Sequence, residues 1–201
     1  GFDPFKFFNS NDKTIKGFVY KNYSPGGSKR MYFTSENAKR IDYFRTKIED
    51  WKNNDLISEN EDAYLLSCLI ESVSHISNTA GVYGAFLKHW ESRAKQSIEF
   101  IKVNSNDINH HNLKFYNDKI ENIISEIDCD VLYLDPPYTQ NQYGTQYHLL
   151  ETLILNDNPK ISPITGSRST SKMRSDWSKK YKAQILFDRI LAKTKAKYVL
   201  F

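Results

Sequence analysis

Cysteine is scarce in this chain of 201 residues: there are two, Cys68 and Cys129, far apart in sequence. A disulfide framework or a zinc knuckle needs cysteines paired at short spacing, so neither is expected. The five histidines show no metal-ligand spacing, and His110-His111 read as loop residues, so no metal is expected. No apolar run approaches the roughly 20 residues that cross a bilayer, and no secretory signal opens the chain. A phosphate-cradling glycine loop is also missing. Ser24-Pro25-Gly26-Gly27-Ser28-Lys29-Arg30 leads into Met31-Tyr32-Phe33 instead of joining a buried strand to a helix. Neither sign of charge dominates: 28 basic residues against 24 acidic give +4, compatible with nucleic acid without being diagnostic of it. These absences leave a soluble, intracellular protein, expected in the cytoplasm, whose chemistry rests on ordinary side chains.

What is present supports a real core. The chain is 39% hydrophobic and 14% aromatic, enough for one domain or one with a small subdomain. Aromatics crowd residues 1–33, where Phe5, Phe7, Phe8, Phe18, Tyr20, Tyr23, Tyr32 and Phe33 are too many to be solvated singly. Gly17-Phe18-Val19-Tyr20 reads as a short strand. The loop after it, with Lys29 and Arg30, is either a DNA-facing loop or a plain turn. A helix follows, capped by Thr34 or Ser35, with Ile41, Phe44, Ile48 and Trp51 on one face. The next helix opens with a capping box, Ser58 and Glu61, and carries Leu66, Leu69, Ile70 and Val73. The two make a helical hairpin. Ser77 to Phe86 breaks the pattern: Asn78, Tyr83 and Gly84 line a pocket, or the stretch is a bend that lets Trp90 pack. Ile98 to Val103 has strand character with poor alternation.

The order then becomes regular. Leu113-Lys114-Phe115-Tyr116 predicts a strand, Asn117-Asp118 a connection, and Ile120, Ile123, Ile124 and Ile127 a short helix. Val131 to Leu134 predicts a strand buried on both faces. This β-α-β unit makes the fold class α/β and puts Asp118 and Asp135 at one edge of nearby parallel strands. Asp118 is also a candidate helix N-cap. Beyond come a polar loop (139–145), a helix with Leu149, Leu150, Leu153 and Ile154, and a basic stretch from Gly166 to Lys182. In that stretch Arg168, Lys172 and Arg174 are candidate phosphate contacts, or a solvated surface. A last helix at 182–196 packs through Leu186, Ile190 and Leu191, and Tyr198-Val199-Leu200-Phe201 predicts another strand.

The chemistry concentrates at Asp135-Pro136-Pro137-Tyr138. Neither proline can donate to a sheet, and Pro136 holds Asp135 extended, so the tetrapeptide is a stiff loop at the carboxyl end of a strand. Open α/β sheets bind ligands there. The Asp135 carboxylate and a neighbouring carbonyl can both accept hydrogens from one exocyclic amine, while the Tyr138 ring stacks on the base carrying it.

The motif, with Tyr147-His148-Leu149-Leu150-Glu151-Thr152 and Asp157-Asn158-Pro159 after it, resembles that of the D12 class of adenine-N6 DNA methyltransferases. The resemblance implies a partial Rossmann-like methyltransferase sheet with a helical insertion. Residues 1–33 would then be an aromatic-rich segment, 34–97 the insertion and a candidate target-recognition region, and 98–201 the partial α/β core. It implies S-adenosylmethionine as cofactor, with Asp118 at the acidic position that meets the cofactor adenine and Asp135 beside it. It implies double-stranded DNA as partner, with Lys29, Arg30, Arg168, Lys172, Arg174 and Tyr138 as candidate contacts, and a cognate restriction endonuclease as a further candidate. Two alternatives stay open: the same chemistry on cytosine N4 or RNA adenine, and a non-catalytic DNA-binding fragment or subunit needing a partner. In the family, a glycine-rich turn for the methionine end of the cofactor precedes the segment seen here, and this chain has none. It therefore reads as a piece lacking that cofactor half and the final strands. We expect the isolated 201 residues to bind S-adenosylmethionine weakly or not at all; calorimetric titration giving micromolar affinity would contradict this.

Overall fold

The computed structural model describes the whole chain except residues 105–112 and 138–140, and leaves aside the side chain of Lys172. His110-His111 therefore lie outside the described residues. The chain forms two discontinuous units. Unit 1 comprises Gly1–Ser105 and Thr145–Ser169, and unit 2 comprises Asn106–Gly144 and Thr170–Phe201. This division differs from three consecutive segments: residues 1–33 share a core with the helices after them, and 98–201 is split.

Unit 1 is helical. α1 (Pro4–Asn9) starts on Asp3, whose carboxylate accepts from the N–H groups of Phe5 and Lys6, with proline at the first turn. α2 (Phe18–Tyr23) replaces the strand expected at 17–20. Its cause is tertiary. Asp42, on α3 (Ser35–Asn53), accepts from the N–H groups of Gly17, Val19 and Tyr20 at 2.8–2.9 Å, satisfying donors that open a helix. α3 and α4 (Glu59–His75) form the expected hairpin, with the Thr34 cap and the Ser58–Glu61 capping box both present. Phe8 sits at the centre of the aromatic cluster, its ring 4.5 Å from that of Phe100 and 5.0 Å from that of Phe44.

Ile98 to Val103 forms no strand. Asn37, Asn9 and Ser72 accept from the N–H groups of Ile98, Phe100 and Ile101. Side chains of the helical layer thus do the work of a neighbouring strand. Asn78 does the same for the bend after α4. Its amide donates to the carbonyls of Met31, Leu87 and His89 and accepts from the Glu91 N–H.

α7 (His148–Leu155) closes the unit, burying Leu149 and Leu153. Beside it, the Tyr23 hydroxyl donates to the Gly166 carbonyl and the Tyr32 hydroxyl reaches the carbonyls of Tyr83 and Thr165. Gly166 has φ +77°, and a Cβ there would come within 3.0 Å of Tyr23 and Arg30, so this turn requires glycine.

Unit 2 holds α5 (Ile120–Ile123), β1 (Val131–Tyr133), α8 (Lys180–Lys193) and β2 (Tyr198–Leu200); α6 (Tyr143–Gln146) carries the chain from this unit back into unit 1. β1 and β2 pair in parallel, with Val131 opposite Tyr198 and Tyr133 opposite Leu200. The result is a helix-rich α/β arrangement with a small parallel sheet. Leu132 and Leu134 pack with Ile124 and Ile190, whereas Val131 and Tyr133 are 50% and 69% exposed, so β1 is covered on one face within its unit. Leu113–Tyr116 is exposed and forms no strand among the described residues. α8 packs through Ile190 and the half-buried Leu186 and Phe187, while Leu191 faces solvent.

His148 is fully buried against the Tyr23 and Tyr32 rings. Burial pushes its pKa down to about 4, opposed by the Tyr83 main chain and reinforced by the Arg30 guanidinium. The unfolded chain takes up this proton first, near pH 6.5, so the stabilisation is present above that pH and is lost as pH falls toward 4. By about pH 5 the loss should be on the order of 2 kcal/mol. Asp42, whose carboxyl burial raises to about 6, contributes with the opposite sign. Comparing thermal unfolding of wild type with that of His148→Leu from pH 7.5 to 5 isolates the histidine. The variant should lose less stability across this range, and parallel curves would show that His148 does not titrate this way.

Candidate active site

The site residues of unit 2 lie where the sheet ends. Leu134 is the last residue to pair: its N–H donates to the Leu200 carbonyl at 2.8 Å. Asp135 follows, exposed, with Pro136 and Pro137 half-buried behind it. The prolines offer no N–H, so the ladder cannot continue and the carboxylate leaves the sheet at the carboxyl end of a parallel strand. Tyr138 lies outside the described residues.

Asp118 is not at a strand end. It stands before α5, whose N-cap position is Lys119, and its Oδ1 accepts from the Lys119 N–H at 2.6 Å and the Asn122 amide at 2.8 Å. It therefore braces the entry to the helix without capping the N2 or N3 donors. The two bonds hold its carboxyl below the usual carboxylate range. Both fall on Oδ1, which leaves the second oxygen for a ligand. Asp118 lines a cleft of about 720 Å³ whose walls include Met173, Arg174, Trp177 and Arg189. A volume of that order suits a small organic ligand or cofactor, and it combines a charged acceptor with an indole and a thioether. The residues fit an S-adenosylmethionine adenosine end in chemical type. Trp177 and Arg189 were not legible as site residues, because only the folding of 173–189 against α5 gathers them.

The basic candidates separate. Arg30 is buried: its Nε donates to the Ile164 carbonyl, Nη1 to that of Asn22, and Nη2 to those of Ser162 and Pro163. The Ser24–Lys29 segment is likewise tied down, with Ser28 Oγ donating to the carbonyls of Asn22 and Ser24. The reading of a DNA-facing loop does not hold at Arg30, because a buried guanidinium that gives four of its five N–H bonds to carbonyls has no fork left for a phosphate. Arg168 makes a two-pronged pair with Asp157 at 3.0 and 2.6 Å and keeps only 11% of its side chain exposed. Lys29 and Arg174 are exposed. Lys179 and Lys182 both pair with Asp176, whose carboxyl they hold down at about 2. Among the described residues no group of three or more His, Cys, Asp or Glu could hold a metal ion, and no helix is long and apolar enough to cross a membrane.

The family model for D12 class N6 adenine-specific DNA methyltransferases matches residues 3–199. The Type II methyltransferase M.FokI of Planomicrobium okeanokoites is 44% identical over 91% of this chain and 28% of its own length. Modification methylase LlaI of Lactococcus lactis subsp. lactis is 38% identical over 100% of the chain and 32% of its length. The Type II methyltransferase M.NlaIII of Neisseria lactamica is 36% identical over 92% of the chain and 54% of its length. The chain thus spans between about a quarter and about half of these relatives. No solved structure matches it.

Asp118→Asn separates ligand binding from bracing. The amide keeps an acceptor for the Lys119 N–H but loses the charge and can present a donor to the cleft. In the full-length protein it should weaken S-adenosylmethionine binding roughly tenfold, the loss expected for a hydrogen bond to a charged group, with little change in melting temperature. Unchanged affinity in calorimetry would reduce Asp118 to a helix brace.

Proposed function

Because this chain belongs to the D12 class N6 adenine-specific DNA methyltransferase family, we propose that it forms part of a site-specific enzyme that methylates adenine N6 in double-stranded DNA. One observation carries the reading: an exposed Asp135, backed by two prolines, leaves the sheet at the carboxyl end of a parallel strand. The parallel pairing and the α8 crossover support a place for these strands in a larger Rossmann-like sheet.

The exocyclic nitrogen of adenine is a poor nucleophile, since its lone pair is delocalised into the ring. Asp135 and the Pro136 carbonyl accept its two hydrogens and turn the nitrogen lone pair toward the methyl carbon to be transferred. As the nitrogen becomes tetrahedral, positive charge grows on it, and the fixed carboxylate stabilises that charge. Tyr138 stacks on the base once it has left the duplex. S-adenosylmethionine, when bound, supplies the electrophilic methyl group, with Asp118 holding the amine of its adenine and Asp135 adjoining it. The new N–C bond would form as the donor's S–C bond breaks, leaving the neutral thioether S-adenosylhomocysteine, and the nitrogen would then pass one proton to the Asp135 carboxylate and on to water, becoming neutral. Lys29, Lys172 and Arg174 remain the proposed phosphate contacts, and residues 34–97 the proposed target-recognition region. A cognate restriction endonuclease as partner and the cytoplasm as the place of action belong to the same proposal.

In the full-length protein, Asp135→Asn keeps the loop's shape and removes its charge. Single-turnover methylation should slow by about 10²–10³, the usual cost of losing a preorganised electrostatic partner. Tyr138→Ala removes a platform worth about 1–3 kcal/mol, so a duplex with a mismatched target adenine should suffer least, and Tyr138→Phe should be tolerated. Wild-type rates in Asp135→Asn would reduce the loop to a stiff strand end.

A further inference from the structure

Unit 2 fastens the chain at Leu134, just before Asp135, and again at Gln142. Upstream, the Leu134 N–H holds the Leu200 carbonyl. Downstream, Gln142 is bound through both ends of its amide: Oε1 accepts from the Ser175 N–H at 2.8 Å, and Nε2 donates to the Ser175 carbonyl at 3.2 Å and to Ser178 Oγ. The segment it grips is itself closed, since Ser178 Oγ donates to the Ser175 carbonyl and the Trp177 N–H donates to Ser175 Oγ. Two residues on, a Cβ at Gly144 would lie 2.7 Å from the Met173 Cβ, so the chain passes this wall at glycine distance. Met173, Arg174, Ser175 and Trp177 line the same cleft as Asp118.

We propose that Gln142 is a positioning residue: it fastens the chain downstream of Asp135 to the wall of the Asp118 cleft, so that the amine acceptors and the methyl donor share one frame. The inference rests on the methyltransferase reading above. An amide engaged at both ends by one residue's backbone fixes orientation as well as distance, which a single bond would not. The wall also has fastenings of its own. Asp176 is held by Lys179 and Lys182, and Trp177 packs against the Ile124–Ile190 core. Loss of Gln142 should therefore free the acceptor segment while leaving the cleft intact, giving a fall in turnover without a matching fall in cofactor affinity.

The test uses the full-length protein with Gln142→Ala, Gln142→Glu and Asp135→Asn, counting sites by calorimetry with S-adenosylhomocysteine. Single-turnover methylation of saturating duplex is then measured per site. Gln142→Ala should keep S-adenosylhomocysteine affinity within about threefold and lose about 10² in rate per site, the scale of a reacting group misplaced by about 1 Å. Gln142→Glu, which keeps the acceptor for the Ser175 N–H, should lose less; if Gln142→Ala fails to fold, the glutamate variant carries the same comparison. A per-site rate within about threefold of wild type, with Asp135→Asn slow, overturns the role of Gln142 and leaves the methyltransferase reading standing. Sites and rate falling together overturn it too, because Gln142 would then serve folding alone. Wild-type turnover in Asp135→Asn removes the parent reading, and this one with it.

Discussion

Parallel strands cannot be joined by a tight turn, and that constraint organises unit 2. β1 and β2 are brought side by side only by a long return, whose last part is α8 laid over Leu132 and Leu134. The pairing closes at Leu134, where the last N–H reaches Leu200. Two prolines follow, and the chain must turn outward with Asp135 at its head. α5 packs beneath through Ile120 beside Ile124 and places Asp118 on a cleft of the same unit. Asp135 is thus positioned by backbone constraints and apolar packing, and Asp118 by its own bonds to the Lys119 N–H and the Asn122 amide.

Unit 1 meets a different demand. Its irregular segments carry many backbone donors and acceptors, and each one buried without a partner would cost about 1–3 kcal/mol. Asn9, Asn37, Asn78, Asp42 and Arg30 supply those partners from neighbouring helices and loops. Residues with binding chemistry are consequently committed to structure. Arg30 is the plainest case: a residue that reads as a phosphate contact when seen after Pro-Gly-Gly-Ser-Lys is the clamp on the Ser162–Ile164 turn.

What was legible in the sequence follows from the range of the signals. α3 and α4 are announced by local caps ahead of their apolar stripes, Thr34 and the Ser58–Glu61 pair. β1 shows as an apolar run between Asp130 and Asp135-Pro136-Pro137, and β2 as the apolar run Tyr198 to Phe201. α1 carried its own signal, Asp3 before Pro4, overlooked beneath the aromatics. α2 could not be read locally, because its first donors are satisfied by Asp42, more than twenty residues later. Ile98 to Val103 looks like a strand and has its hydrogen bonds met by side chains. Of the site, the Asp135 loop was legible because proline acts on its own neighbours. Trp177, Arg189 and Gln142 were not, since nothing in their local sequence announces which wall they build.

The central claim concerns the product. Full-length protein incubated with S-adenosylmethionine and plasmid DNA, followed by nucleoside mass spectrometry, identifies the methylated base directly. The account predicts N6-methyladenine at a recurrent sequence, absent when Asp135 is replaced by alanine. N4-methylcytosine, or adenine methylation that persists without the Asp135 carboxylate, would contradict it.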